Sequence, residues 1–200
     1  MSDFMKKDII SLPQRNRRRI SARYSSDEDY SDDANESNNE GSDDMEKDRE
    51  KLYGITLEKI YKYEYLDHTA DIILHSYGNN LMECFESICI SMFNYMCNLN
   101  KVELKIRKKV IVHGDNLDDL LFKFLNEFHF LYGSEYFICK RIDILTFDTK
   151  TFFIKAVGYG ETFSSFKHEG GTEIKAITKH ELKIISNEEG ECEIFVLVDI

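Results

Sequence analysis

Residues 193–200, EIFVLVDI, constrain the fold of this chain more than any other stretch. Ile194 to Val198 are apolar without a break, and the chain closes two residues later with Asp199 and Ile200. A run of branched and aromatic residues bounded in this way reads as a strand that demands burial. Chain termini ordinarily trail away as polar, frayed tails, so this strand ties its end of the chain to the core. The Asp199 side chain and the Ile200 main-chain carboxylate then stand within one residue of each other. Neighbouring carboxylates repel, and the strain is relieved by a proton on one of them or a cation between them. The alternative, a solvated Asp199 at a strand end, stays open at this point.

The elements able to cover such a strand are written in the periodicity upstream. YKYEYL and DIILHSY alternate as strands. Leu81, Phe85, Ile88, Met92 and Met96 recur at helical spacing, behind a capping-box pair Asn80/Glu83. VELKIRKKVIVHG alternates from Val102 to Ile106 and resumes at Val110, which predicts a strand with a bulge at Lys108–Lys109. Leu117, Leu120, Leu121, Phe124, Phe128 and Leu131 make the stripe of a second helix, with acids in its first turn and Gly133 as its expected stop. Strands follow at FICKRIDILTF, TFFIKAVGYGETF, ELKIIS and CEIFVLV, the first two joined by a short hairpin turn around Thr149. Two helices among about seven strands joined by hairpin-length links predict an α+β fold: a largely antiparallel sheet with two helices packed on one face. The Met and aromatic stripes are core residues in this reading, not a cofactor box.

Charge divides the chain. Residues 1–26 carry seven Lys/Arg against two acids, residues 27–50 carry twelve acids against two bases, and the remainder nets −6 of the overall −11. Residues 1–50 hold too little apolar surface to offset the entropy of ordering, so the expected organisation is a disordered charged extension, 1–50, before a domain, 51–200, with order beginning near Leu52. Within the extension, Arg15 to Arg19 resemble a nuclear-import signal. Ser25, Ser26 and Ser37 each have an acid three residues on, as acid-directed phosphorylation requires. A mildly acidic domain is a poor free-standing nucleic-acid binder, so any RNA contact is expected to run through a protein partner. The start of the chain lacks the apolar core of a signal peptide, and no run of eighteen apolar residues is present, which points to a soluble intracellular protein of nucleus or cytoplasm with no membrane span. Cys84, Cys89, Cys97, Cys139 and Cys192 match no zinc spacing and read as reduced structural thiols.

Two stretches carry chemistry. YLDHTAD packs Asp67, His68 and Asp71 into five positions. If the fold brings Asp71 to the chain end, Asp71, Asp199 and the Ile200 carboxylate supply three hard oxygen donors, a set suited to Mg2+, Mn2+ or Ca2+ rather than zinc. The second stretch, GYGETFSSFKHEGGTEIKAITKHEL, offers Gly158, Gly160, Gly170 and Gly171 with Lys167, His168 and Lys175, a composition able to hold a phosphate without any known phosphate-loop spacing. His75, His113 and His129 read as satisfied structural histidines.

The segments YEYLDHTADIILHSYG, LMECFESICISMFNYM, GDNLDDLLFKFLNE, GETFSSFKHEGGTEIKAIT and the closing VDI, taken together and in order, resemble the archease family over residues 61 to 200. The resemblance implies an α+β domain without catalytic activity of its own. Its implied partner is an RtcB-type RNA ligase of the tRNA-splicing ligase complex, whose guanylylation and multiple turnover it promotes. It further implies a divalent-metal site at Asp71, Asp199 and Ile200 and a required lysine at Lys175. Asp67 and His68 share the motif, but the family accepts Glu at the Asp67 position. Glu169 stands where the family often has proline, which predicts a looser loop, and the fifty-residue extension is unlike the short leader the resemblance leads one to expect. Readings from other classes are a small metal-dependent nucleotide-processing hydrolase, which would turn over nucleotide unaided, and a chaperone-like binding module acting through the tail. A homodimer is compatible with the sequence.

Overall fold

The computed structural model describes residues 59–188 and 190–200. The expectations for disorder in 1–50, for the import signal and phosphorylated serines, and for the onset of order near Leu52 lie outside these residues.

Among the described residues eight strands and two α-helices follow in the order β1 (Tyr63–Asp67), β2 (Ile72–Gly78), α1 (Leu81–Met96), β3 (Ile106–His113), α2 (Leu117–Glu135), β4 (Phe137–Asp148), β5 (Phe153–Thr162), β6 (Ala176–Ile177), β7 (Lys183–Ser186) and β8 (Cys192–Asp199). Every ladder is antiparallel, so the chain is α+β as its periodicity predicts. The strands divide between two sheets. One runs β1-β2-β8-β6, with β7 also on β8; the other is β3-β5-β4. Among the described residues no helix is long and apolar enough to cross a membrane.

The apolar strand β8 is the shared partner of β2, β6 and β7, which accounts for its uninterrupted hydrophobic run. Its alternate residues Ile194, Val196 and Val198 are fully buried, opposite Ser76, Leu74 and Ile72 of β2. Helix α1 lies against β2 and β8 on one side and β4 on the other. That is why it is buried nearly all round, Glu86, Ser87 and Ser91 included. The Glu86 carboxylate accepts the Ile144 N–H at 2.9 Å and pairs with Lys59 at 2.5 Å. Burial pushes its carboxyl up while those two partners oppose the shift. Phe85 and Phe93 of α1 meet Phe124 and Phe128 of α2, with ring centroids 6.0 and 6.3 Å apart, an edge-and-tilt packing that aromatic quadrupoles favour.

Local chemistry explains both the agreement and the departures. Asn80 caps α1 by accepting the Glu83 N–H, but the Glu83 carboxylate reaches back to the Asn79 N–H, one residue upstream of a standard capping box. The predicted bulge at Lys108–Lys109 is absent. Ile106 to His113 keeps one register against β5, and residues 102–105, expected to open the strand, lie outside it, after a 3-10 turn at Leu99–Lys101. Lys108 simply occupies a position on the Val110 side of the strand, where its ammonium pairs with Glu135. The ladder irregularities fall in β4, at Cys139/Arg141 and Ile144/Thr146. Gly133 does not stop α2. The helix runs on to Glu135, and Tyr136 closes it in the left-handed region at φ 54, donating its N–H to the Leu131 carbonyl. The turn around Thr149 is a tight link between Asp148 and Phe153, braced by the Asp148 carboxylate, which accepts from Lys150 N, Thr151 N and Thr151 Oγ1.

Glycine positions separate two consequences. A methyl group on Gly133 meets nothing within 4 Å, so Gly133→Ala should stabilise the protein by about 0.4–1 kcal/mol through the helix interior it occupies. A methyl group on Gly160 would lie 1.7 Å from the Ile138 carbonyl, so Gly160→Ala should destabilise by roughly 1–3 kcal/mol or more. Urea unfolding of the two variants checks both signs.

Candidate functional site

The β2–β8 ladder brings the first candidates together. Ile72 pairs with Val198 and Ile73 with Leu197, so the same register, carried one residue further, sets Asp71 beside Asp199. Side chains alternate across a sheet; since Ile72 and Val198 face the core, both carboxylates belong to the opposite face. On the other edge of β8, Ala176 pairs with Asp199, and the Lys175 N–H donates to the Asp199 carbonyl at 2.8 Å. The Lys175 ammonium donates to the Ile200 main-chain oxygen at 2.7 Å and stands 3.8 Å from Asp199 Oδ1. Three neighbouring strands thus deliver Asp71, Asp199, Ile200 and Lys175 to one end of one sheet. His68 joins them, its Nδ1 3.7 Å from Asp71 Oδ2.

Asp67 does not join this group. Its charge bears on the Tyr95 hydroxyl, on the side where β1 meets α1, and Tyr65 of the same strand donates to Ser91 O there. Spacing in YLDHTAD could not separate Asp67 from Asp71; strand parity does.

Lys175 is placed by a chain of ties. The Gly171 N–H donates to Met96 O at 2.7 Å and Thr172 N to Tyr95 O at 3.1 Å, at the end of α1. A Cβ on Gly171 would sit 2.1 Å from that Tyr95 carbonyl, which is why glycine stands there. Ile174 is buried, its carbonyl accepting from His129 Nε2 at 2.8 Å. The glycines therefore serve the approach of this segment to α1, and the phosphate-cradle reading of Gly170–Gly171 fails because the Gly171 N–H is already used.

Lys167 and His168 leave that reading too. The loop they occupy folds onto Glu161, which accepts from Lys167 Nζ (2.5 Å), His168 Nε2 (2.9 Å) and the Glu103 N–H (2.8 Å), with Lys105 3.3 Å away. Burial pushes the Glu161 carboxyl up, but these donors outweigh it and hold it at about 2. The ammonium of Lys167 is correspondingly held above its ordinary range by Glu103 and Glu161. Glu169, expected to loosen the loop, instead ties it down: its carbonyl accepts the Asn98 N–H at 2.9 Å and its carboxylate accepts from Asn98 Nδ2 at 3.3 Å. This network was missed in the sequence because it joins Glu161, Lys167 and His168 to Glu103 and Lys105, on a distant part of the chain.

The remaining expectations are simpler. All five cysteines are buried and free. His75 stacks on Phe195 at 4.1 Å and bonds Glu64 through Nδ1 at 3.0 Å; its Nε2 is 3.4 Å from Glu193 without hydrogen-bond geometry. His113, read as a satisfied structural histidine, is exposed, with its ring against Phe153. A groove of about 330 Å3 at the start of α2 is lined by Asp115, Asn116, Asp118, Asp119, Lys179 and Leu182. Hydrogen bonds from Lys123 and Lys179 hold the Asp119 carboxyl well below its usual range.

No three His, Cys, Asp or Glu side chains among the described residues cluster as a metal cage. A hard cation at the sheet end would therefore need the Ile200 main-chain carboxylate beside Asp71 and Asp199. The donor set fits such an ion in kind: all oxygen, acidic and half-exposed.

Comparison with known proteins gives a consistent result. The model of the archease protein family matches residues 63–200. The chain is 45% identical over 141 residues to a Drosophila melanogaster protein named archease-like, covering 70% of this chain and 90% of that one. It is 42% identical over 140 residues to protein archease of Danio rerio, covering 70% and 85%. The solution structure of Methanobacterium thermoautotrophicum protein 1598 superposes with a TM-score of 0.61 at 27% identity, over 70% of this chain and all of that one.

The Glu161 network carries a pH dependence of known sign. A carboxyl depressed by folding adds stability that is fully present above the unfolded value, about 4.3, and is lost as pH falls towards the folded value of about 2. Glu161→Gln should therefore be less stable than the parent at neutral pH, with the difference shrinking between pH 4.5 and 2. Thermal unfolding across that range measures it.

Proposed function

The chain belongs to the archease family, and on that premise we propose that it is a non-catalytic activator of an RtcB-type RNA ligase that joins tRNA halves. The register that aligns Asp71, Asp199 and Lys175 at one sheet end carries this reading. It accounts for a buried strand that delivers two acidic groups where acids repel.

In this reading Asp71, Asp199 and the Ile200 carboxylate hold a divalent ion, Ca2+, Mg2+ or Mn2+, and His68 lies beside Asp71. Such an ion supplies positive charge and Lewis acidity next to nucleotide phosphates. Lys175 has two tasks within reach of its position. Its ammonium holds the Ile200 oxygen by a hydrogen bond, which fixes the terminal group. Being more than half exposed, it also presents a point charge to a nucleotide phosphate or to an acidic group of the ligase. The sheet end as a whole enters the ligase's nucleotide pocket and favours guanylylation of the ligase histidine by offsetting phosphate charge.

The exposed Lys175–Asp199 pair contributes only about 0–1 kcal/mol to stability, so function and folding separate cleanly. Asp71→Ala, Asp199→Ala and Lys175→Ala should each abolish or strongly reduce stimulation of the ligase, while the unfolding temperature stays nearly constant. The measurement is ligation and guanylylated-ligase yield with the ligase, GTP and Mn2+, with and without this protein. A few neutral residues appended after Ile200 should silence it in the same way. Stimulation that survives the carboxylate substitutions removes the sheet-end site from the function, and nucleotide hydrolysis by the purified chain alone replaces the activator reading with an enzymatic one.

A further inference from the structure

Two aromatic rings stand in solvent where helix α2 ends and where the loop after β5 turns. Phe166 is fully exposed, more so than any other large apolar residue among the described residues, and Tyr136 is 62% exposed. Large apolar residues exposed singly are ordinary. These two differ because the backbone beneath each is pinned. Around Phe166, Lys167 N and His168 N both donate to the Ser164 carbonyl, at 3.0 and 2.7 Å, and Ser164 N donates to His168 Nδ1 at 2.9 Å. The side chains of Lys167 and His168 then fasten the turn to Glu161. Tyr136 holds a left-handed backbone, φ 54, at a helix end where glycine is the usual residue because a Cβ there is costly. The chain keeps a bulky ring in that conformation and leaves it largely in water. The two turns are joined, since the Phe163 N–H donates to the Tyr136 carbonyl at 2.7 Å.

Rings carried on pre-ordered turns suit burial in a partner's apolar recess, because little conformational freedom is lost on binding. The charge around them selects the kind of partner. Lys101, Lys105 and Lys167 beside the loop and Lys108 beside Tyr136 each pair with an acid, so a phosphodiester chain finds these cations already neutralised. The grooves at the start of α2 and on the β3–β5 face are lined mainly by charged side chains and offer the rings no seat on a second copy of this chain. The segment itself supplies the link to the sheet end: it runs on through Gly170–Thr172, docked on the end of α1, to Lys175. We propose that Phe166 and Tyr136 form a two-ring anchor that seats in an apolar recess of the ligase and orients the sheet end towards its nucleotide site. The proposal rests on the ligase-activator reading and adds to it the residues that dock. Buried aromatic anchors of this kind carry much of the binding energy of protein interfaces.

Isothermal titration of the ligase with the full-length chain, in GTP and Mn2+, tests the anchor. Phe166→Ala should bind about tenfold or more weakly, the usual cost of truncating an anchoring ring. The concentration of the chain that gives half-maximal stimulation should rise by the same factor. Thermal unfolding of this variant should match the parent, because the ring lies in solvent. Tyr136→Gly separates docking from folding. It should unfold at a higher urea concentration than the parent, since glycine accepts the left-handed backbone, and still bind the ligase about fivefold or more weakly. The anchor is overturned, with the activator reading intact, if the parent stimulates the ligase while Phe166→Ala or Tyr136→Gly binds it as tightly as the parent does. A parent chain that neither binds nor stimulates the ligase overturns both. If Phe166→Ala keeps its ligase affinity but loses binding to oligouridine or self-association in sedimentation, the ring belongs to RNA or to a second copy, and the anchor is likewise overturned.

Discussion

The β2–β8 ladder is the constraint on which both the fold and the site depend. β8 pairs with β2 from Cys192 to Val198 and gives its other edge to β7 and β6 in turn. A slip of β8 by one residue in that ladder would turn Ile194, Val196 and Val198 out of the core and put Phe195 and Leu197 in their place. Full burial of both strands' inner residues makes the slip prohibitive, so the positions of Asp71 and Asp199, each one residue beyond the Ile72–Val198 pair, are set by the core. The cost of bringing like charges together is met by apolar burial next door. No local feature of the acidic residues could do this, because their mutual interaction is unfavourable unless a cation intervenes.

Helix α1 extends the same logic to the second half of the site. It sits between the two sheets, so its C-terminal end is fixed relative to both, and the segment at Gly170–Thr172 docks on that end through Met96 and Tyr95. Lys175 follows three residues later. Its placement depends on the rigidity of a helix whose own buried carboxylate, Glu86, joins it to β4 through the Ile144 N–H. Removing a partner from a buried carboxylate leaves an uncompensated polar group, which is costly. This single bond therefore helps hold α1 and the three-stranded sheet in register with the other sheet.

The sequence made the two helices and most strands legible because their periods are long and their faces one-sided. Helix α1 was read to the residue at its start, since Asn80 has both the side chain and the neighbours for a cap. The failures share a cause. Gly133 signals a helix end only if the chain turns there, and here the left-handed turn comes three residues later, at Tyr136. Lys108 suggested a bulge because a charged residue looked misplaced on an apolar face, yet its alkyl stem lies along the strand while its ammonium reaches Glu135. The two-residue strand β6 carries no periodicity at all, although it positions Lys175. Two sheets cannot be told from one when every strand alternates. Of the candidate site, Asp71, Asp199 and Lys175 were legible by resemblance, and the fold adds the geometric reason they meet. The divergent fates of Asp67 and Asp71 were not legible, because they depend on which face of a strand each leaves from.

Charge shows most plainly what a composition conceals. A net of −6 outside the first fifty residues argues against nucleic acid only if that charge is spread evenly. Here Asp71 and Asp199 stand at the end of β8 while Glu64 and Glu193 flank His75, the acids near Lys105 and Lys167 are neutralised within the Glu161 network, and the outer face of the other sheet carries Lys109 and Lys155. Exposed charges further apart than a Debye length, about 8–10 Å at physiological salt, scarcely sense each other. With α1 lying between the two sheets, the carboxylate end and the Lys109–Lys155 face each present a local field to what approaches them. A domain of this construction presents Asp71 and Asp199 at one sheet and Lys109 and Lys155 at the other without either field cancelling the other, so the sign of its net charge describes neither surface.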